Sequence, residues 1–149
     1  MTELGAHLQK GRFAFSSVEE AHVVSQYCRE KSCPAGTFLY SKGDDSDAVY
    51  FVVAGKVAVQ KRTGFGERTQ VVALLSDGAP VGEGAIVGDL PRGATVVAVK
   101  DSLLLRLSSE SFAKLSSEYP EIAIIILKWL MSKTCQRLQK TSDRLAHIL

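Results

Sequence analysis

The chain has 149 residues, with 18 Lys plus Arg against 16 Asp plus Glu, 46% hydrophobic and 23% charged residues. That length suits one domain with its own core, so a two-domain regulator is not expected, and the composition excludes disordered and fibrous classes. A formal charge of +2 provides no bulk attraction to nucleic acid or to an anionic membrane, so neither is expected as a direct partner.

Taken in chain order, the N-terminal stretch MTELGAHLQKGRF lacks the continuous apolar segment of an export signal. Residues 1–16 read as a lead-in and 17–149 as one domain. Ser17 with Glu20 three positions on forms a capping box, and Val18, Ala21, Val24 and Cys28 then recur at helical spacing, predicting a helix up to Lys31. Cys33-Pro34-Ala35-Gly36 ends it. The three cysteines, Cys28, Cys33 and Cys135, are odd in number and irregularly spaced. They propose neither a disulfide framework nor a four-thiolate metal site, which points to a reducing cytoplasm.

From about residue 37 to 108 the texture becomes β-rich: TFLYS, AVYFVVA, KVAVQKR, RTQVVALL, ATVVAVK and SLLLRLS, punctuated by Gly43-Asp44-Asp45, Gly55, Gly64-Phe65-Gly66 and Asp77-Gly78. Short strands at this density predict a closed or sandwiched antiparallel β-roll of the jelly-roll kind, giving a mainly β, α+β domain with an N-terminal helix and C-terminal helices. One interval, GAPVGEGAIVGDLPRGA, has no strand pattern, and a loop of that length inside a compact roll is usually functional.

Ser109 can start a short helix carrying Phe112 and Leu115, interrupted at Tyr119-Pro120. Pro120 suits a first helical position, since its missing N–H would have had no partner there. Along the helix that follows, Ile124, Leu127, Met131, Thr134, Leu138, Thr141, Leu145 and Ile148 alternate by three and four. This is a heptad seam suited to a homodimer through the last helix; the competing reading packs the stripe on the chain's own roll. The longest apolar run, Ile122 to Met131, is broken by Lys128 and is about half of the roughly 20 residues a membrane span needs. Lys128, Lys133, Arg137, Lys140 and Arg144 read as the helix's solvated flank.

The informative segment is VGEGAIVGDLPRGAT, residues 81–95. It combines peptide N–H groups at the start of a short helical turn with one guanidinium, Arg92, both suited to an anion, and one carboxylate, Glu83, suited to accept from a sugar hydroxyl. Together these describe a pocket for a phosphorylated ribose.

GEGAI followed by PRGAT resembles the phosphate-binding cassette of cyclic-nucleotide-binding domains, the family of catabolite-activator-type transcription factors, cyclic-AMP-dependent kinase regulatory subunits and cyclic-nucleotide-gated channels. PAGTFLYSKGDDSDAVYFVVAGKVAV resembles the family's first strands, with Gly36, Gly43, Asp44, Tyr50, Val52, Gly55 and Val57 in place. The resemblance implies that Glu83 accepts from the ribose 2′-OH, that Arg92 pairs with the cyclic phosphate, and that Gly82, Ala85, Gly93 and Ala94 complete the cradle. Gly84 replaces the usual Leu or Ile, which is expected to remove a core-facing side chain. Gly93 replaces a residue that is Thr in many guanine-binding members, which tilts the ligand towards cyclic AMP over cyclic GMP. RLQKTSDRL resembles the stretch where an adjacent Thr and Ser meet the adenine, implying base contacts from Thr141 and Ser142 under a closing helix, with Leu75 on the other side. The match needs about four extra residues between Pro120 and Thr141, which leaves its register open.

Competing classes fail on inventory or stand as alternatives. A metal-dependent β-roll enzyme needs histidines inside the roll, and His7, His22 and His147 all fall outside the strand-rich zone. No nucleophile with a base is evident, GEGAIV lacks the βαβ context of a dinucleotide site, and no helix-turn-helix is expected within these 149 residues. No catalytic residue and no metal is expected. The alternatives are an interaction module that has lost its ligand and the sensing fragment of a longer regulator.

Overall fold

The computed structural model describes residues 17–64, 68–88 and 90–149. The lead-in 1–16 with His7, the tip of the Gly64-Phe65-Gly66 turn, and Asp89 lie outside the described residues. In chain order the elements are α1 (Val18–Ser25), β1 (Arg29–Cys33), β2 (Phe38–Tyr40), β3 (Ala48–Ala54), β4 (Lys56–Arg62), β5 (Thr69–Ser76), β6 (Pro80–Val81), a 3-10 turn (Glu83–Ile86), β7 (Thr95–Ala98), β8 (Ser102–Ser108), α2 (Ser109–Glu118) and α3 (Pro120–Ile148). Two four-stranded antiparallel sheets, β1-β8-β3-β6 and β2-β7-β4-β5, form the expected roll with flanking helices.

Two of the strands explain where the core sits. β3 is buried from Ala48 through Val52, and successive side chains of a strand point to opposite faces. Ala48, Tyr50 and Val52 therefore join Val57, Val96 and Leu104 inside the roll. Val49 and Phe51 join Leu105 and Leu107 on the other face, where α1, α2 and α3 cover them. The first sheet is thus apolar on both sides, which is why AVYFVVA and SLLLRL read as nearly continuous hydrophobic runs.

The first helix is shorter than its periodicity suggests. It stops at Ser25, and Arg29–Cys33, expected as helix and connection, forms β1 along the edge of the first sheet. Pairing with β8, from Arg29↔Arg106 to Cys33↔Ser102, overrides a segment of low strand propensity. The capping box is half made: Ser17 Oγ accepts from the Glu20 N–H at 3.1 Å, while Glu20 Oε2 has no hydrogen-bond partner. The interval without strand pattern also holds a two-residue strand, β6, paired through Phe51↔Pro80 and Tyr50↔Val81. Its proline is tolerated because β6 lies at a sheet edge.

α3 carries two stripes. Ala123, Ile126 and Leu130 are buried in the helix-facing core. The heptad seam is a different face: Met131 is 64% exposed, Leu138 64% and Ile148 81%. The chain's own roll therefore leaves that stripe uncovered. No helix among the described residues is long and apolar enough to cross a membrane.

Candidate functional site

The turn at Glu83–Ile86 begins at Gly82, whose φ of 75° is left-handed and whose carbonyl accepts from the Ala85 N–H at 3.2 Å. A Cβ on Gly82 would fall on Arg92 Nη1 and lie 3.3 Å from the Tyr40 hydroxyl. Glycine is required twice here, by conformation and by close approach. Ala85 is buried, and its carbonyl accepts from Ser109 Oγ at 2.9 Å, so the first residue of α2 clamps the turn.

Arg92 is held from both directions along the chain. Its N–H donates to Asp44 O at 2.8 Å and its carbonyl accepts from the Gly43 N–H at 2.9 Å, which gives the Gly43-Asp44 turn its purpose. The side chain, expected at a ligand phosphate, is turned inward: the residue is 4% exposed, Nη2 donates to Ala48 O at 2.7 Å and Nη1 to Gly82 O at 3.2 Å. Its guanidinium lies 4.0 Å from the centre of the Tyr40 ring and 3.7 Å from Asp47. The exposed Asp47 carboxylate is its only anionic neighbour among the described residues, so carbonyls and an aromatic face supply the rest of what a buried cation needs. Its Nε remains buried and without a partner. Burial pushes the Tyr40 hydroxyl up from its ordinary pKa, with Arg92 acting in the opposite direction.

Beside the turn lies a cavity of about 540 Å³. Gly82, Glu83, Gly84, Gly93, Ala94 and Leu75 line it, as expected for the site, together with Tyr40 from β2, Lys61 from β4, and Leu127, Met131, Thr134 and Arg137 from α3. Its wall is largely apolar with few convergent polar groups, the composition usual for a small-molecule site of that size. A Cβ at Gly84 meets nothing within 4 Å, so a larger residue there would enter open space; the expected loss of a core-facing side chain does not occur. Gly93 is equally open.

α3 does not present the residues that sequence assigns to the base. Thr141 lines a separate groove and donates its hydroxyl to Arg137 O at 3.0 Å, while Ser142 is exposed on the helix surface. Thr134, one heptad earlier on the same stripe, lines the cavity instead. Seven residues advance a helix by about 10 Å, enough to carry Thr141 past the pocket. Arg137, read from sequence as solvated flank, donates to Glu83 Oε1 at 2.9 Å and to Pro80 O at 3.0 Å. The carboxylate expected for a ribose hydroxyl thus has a cation on it. Tyr40, Thr134 and Arg137 were invisible to local reasoning because they come from elements distant in sequence. The heptad stripe includes Thr134 but gives no reason to single it out from Thr141.

A larger recess of about 930 Å³ lies near the start of α2, but its charges are partly paired internally, Arg106 with Asp47 at 3.1 Å, and it has no glycine cradle. Cys28 is buried and its thiol is pushed up to about 12, which suits a core residue rather than a nucleophile.

The sequence is 33% identical over 105 residues to the Cyclic AMP receptor protein of Thermus thermophilus, covering 70% of this chain and 48% of that protein. It is also 33% identical over 105 residues to the Pycsar effector protein XpPycTIR of Xanthomonas perforans, covering 70% of this chain and 33% of that protein. The chain therefore spans a third of the second of these relatives and about half of the first. Among solved structures, a cyclic nucleotide-binding domain from Methylobacillus flagellatus superposes with a TM-score of 0.84 at 25% identity, covering 89% of this chain and 74% of that one. With the family model "Cyclic nucleotide-binding domain" matching residues 30–119, around a turn and cavity placed as described, the chain belongs to the cyclic nucleotide-binding domain family.

Proposed function

We propose that the chain is a sensor domain that binds a cyclic nucleotide, cyclic AMP in preference to cyclic GMP, and leaves it chemically unchanged. The observation that carries this reading is the junction of the turn at Gly82–Gly84, with Glu83, and an apolar cavity of about 540 Å³, the turn being held from behind by the buried Arg92. In this reading the cyclic phosphate lies on the turn, where it supplies the partner that Arg92 Nε lacks. Glu83 accepts from the ribose 2′-OH after exchanging Arg137 for the ligand. The purine lies against Leu75 and Met131 with Thr134 as its polar contact, in place of Thr141 and Ser142. Gly93 offers no hydroxyl to a guanine, and one relative is named a cyclic AMP receptor protein, which together support cyclic AMP.

The exposed seam of α3 makes a homodimer through that helix part of the same proposal, with α3 as both lid and interface. Three free cysteines suit a reducing, cytoplasmic setting.

Calorimetric titration with cyclic AMP and with cyclic GMP tests the reading. Saturable binding, tighter for cyclic AMP and weakened roughly 10- to 150-fold by Arg92→Ala through loss of a charge-assisted bond worth about 1.5 to 3 kcal/mol, is expected. A second reading, an interaction module without a ligand, is favoured by one observation: Glu83 and Arg92 both have partners within the protein. Absence of heat with either nucleotide at millimolar concentration, from a chain that unfolds cooperatively, would establish it in place of the first.

A further inference from the structure

On the opposite side of Arg137 from the nucleotide cavity is a groove of about 270 Å³ between α3 and β5. Arg137 and Leu75 line both cavities and form the wall between them. Lys133, Arg137, Lys140 and Arg144, spaced by four, three and four along α3, face this groove, with Asp77 as its carboxylate. The facing strand, TQVVALLS, carries no charge and is the edge strand of its sheet, so part of its main chain is free of ladder bonds. Arg144 Nη1 donates to the neutral carbonyl of Val72 at 3.2 Å, and the ammonium groups of Lys133 and Lys140 pair with no carboxylate among the described residues.

Four cations thus line a groove whose strand wall carries no charge; Arg137 is paired with Glu83 on its other side, and Asp77, in the turn after the strand, is the carboxylate among the lining residues. From Lys133 to Arg144 the helix rises about 16 Å, more than a single phosphate spans, so the complement is an anion with several charges in line. The volume admits a chain of phosphates without the nucleoside that a full small-molecule pocket of about 300 Å³ or more would hold.

We propose that this groove is a second ligand site, for a polyphosphate anion, and that it is coupled to the nucleotide cavity through Arg137. The coupling rests on the nucleotide-binding reading above; the anion site does not. An anion in the groove attracts the guanidinium that otherwise lies on Glu83. The carboxylate is then released to accept from a ribose hydroxyl, so each ligand favours the other.

The test is titration of the chain with sodium tripolyphosphate, using sodium sulfate at equal ionic strength as the control and ATP as a parallel probe. The expected result is saturable one-to-one binding of tripolyphosphate, absent with sulfate. It should fall at least tenfold in the double variant Lys133→Ala/Lys140→Ala and be retained in Lys133→Arg/Lys140→Arg, neither lysine lining the nucleotide cavity. ATP binding as tightly as tripolyphosphate supports the phosphate chain of a nucleotide seated in the groove with its nucleoside outside, and ATP failing while tripolyphosphate binds supports a free polyphosphate. Saturating tripolyphosphate should tighten cyclic AMP binding about 5- to 150-fold. Non-saturable binding, or binding indifferent to the double alanine variant, overturns the site. Tripolyphosphate binding that leaves cyclic AMP affinity unchanged overturns the coupling. A chain that binds tripolyphosphate but no cyclic nucleotide keeps the groove and removes the reading of the cavity.

Discussion

Gly82 bears the sharpest constraint of any single residue in the site. It combines a φ of 75° with the contact its missing Cβ would make on the Arg92 guanidinium. Gly82→Ala adds a left-handed cost of about 1 to 2 kcal/mol and displaces a buried cation from the carbonyls of Gly82 and Ala48. Thermal unfolding should therefore shift down by several degrees, and cyclic AMP affinity should fall with it. Scanning calorimetry and a nucleotide titration check both; a variant as stable as the parent would show that the turn tolerates a side chain and that Arg92 is not locked by it. This part of the site was legible in sequence because it is local: Gly82, Glu83 and Arg92 fall within eleven residues. The inward turn of Arg92 was not legible, since Ala48 and Tyr40 reach it from strands more than forty residues upstream.

Among the elements, local pattern succeeded where packing agreed with it and failed where pairing decided. α2 starts at Ser109 and α3 opens on Pro120, as residue type alone suggests, and Ser108 caps α2 by accepting from the Ser111 N–H at 3.0 Å. Arg29-Glu30-Lys31 has no strand signature, and only its partner β8 makes it β1. α3 shows both outcomes within one helix. Its heptad stripe was visible, but whether Thr134 or Thr141 meets the cavity depends on where the roll ends, which no heptad records. Thr134, Arg137, Leu127 and Met131 all precede Gln139, so a chain ending at Gln139 keeps the whole cavity wall. Its cyclic AMP affinity, measured below the concentration at which the parent dimerises, should stay within about threefold of the parent, or roughly 0.6 kcal/mol. A loss of tenfold or more would return the base contact to Thr141 or Ser142.

For the molecule as a whole, the decisive fact is that the seam and the cavity use the same side of α3. Leu127, Met131 and Thr134 line the cavity and also belong to the stripe on which Leu138, Leu145 and Ile148 continue, exposed, beyond it. The buried stripe, Ala123, Ile126 and Leu130, anchors the start of the helix in the core, leaving its second half exposed except where Arg137 and Arg144 touch the roll. On the proposed reading, a purine in the cavity and a second copy of α3 would therefore meet one continuous surface, and whatever orders that surface for one ligand would alter it for the other. Linkage makes the effect reciprocal: if cyclic AMP strengthens the dimer, dimerisation strengthens cyclic AMP binding by the same factor. Leu138 separates the two roles, since it lies on the seam but does not line the cavity. Leu138→Asp places two carboxylates opposite each other across a symmetric seam, and sedimentation at tens of micromolar should show dimers for the parent and monomers for the variant. Titrating both proteins with cyclic AMP should then give a variant that still binds, at an affinity equal to the parent's when the parent is diluted below its own dissociation. A parent already monomeric at those concentrations, with and without nucleotide, would rule out the helix as a dimer seam and leave α3 as the wall of its own cavity.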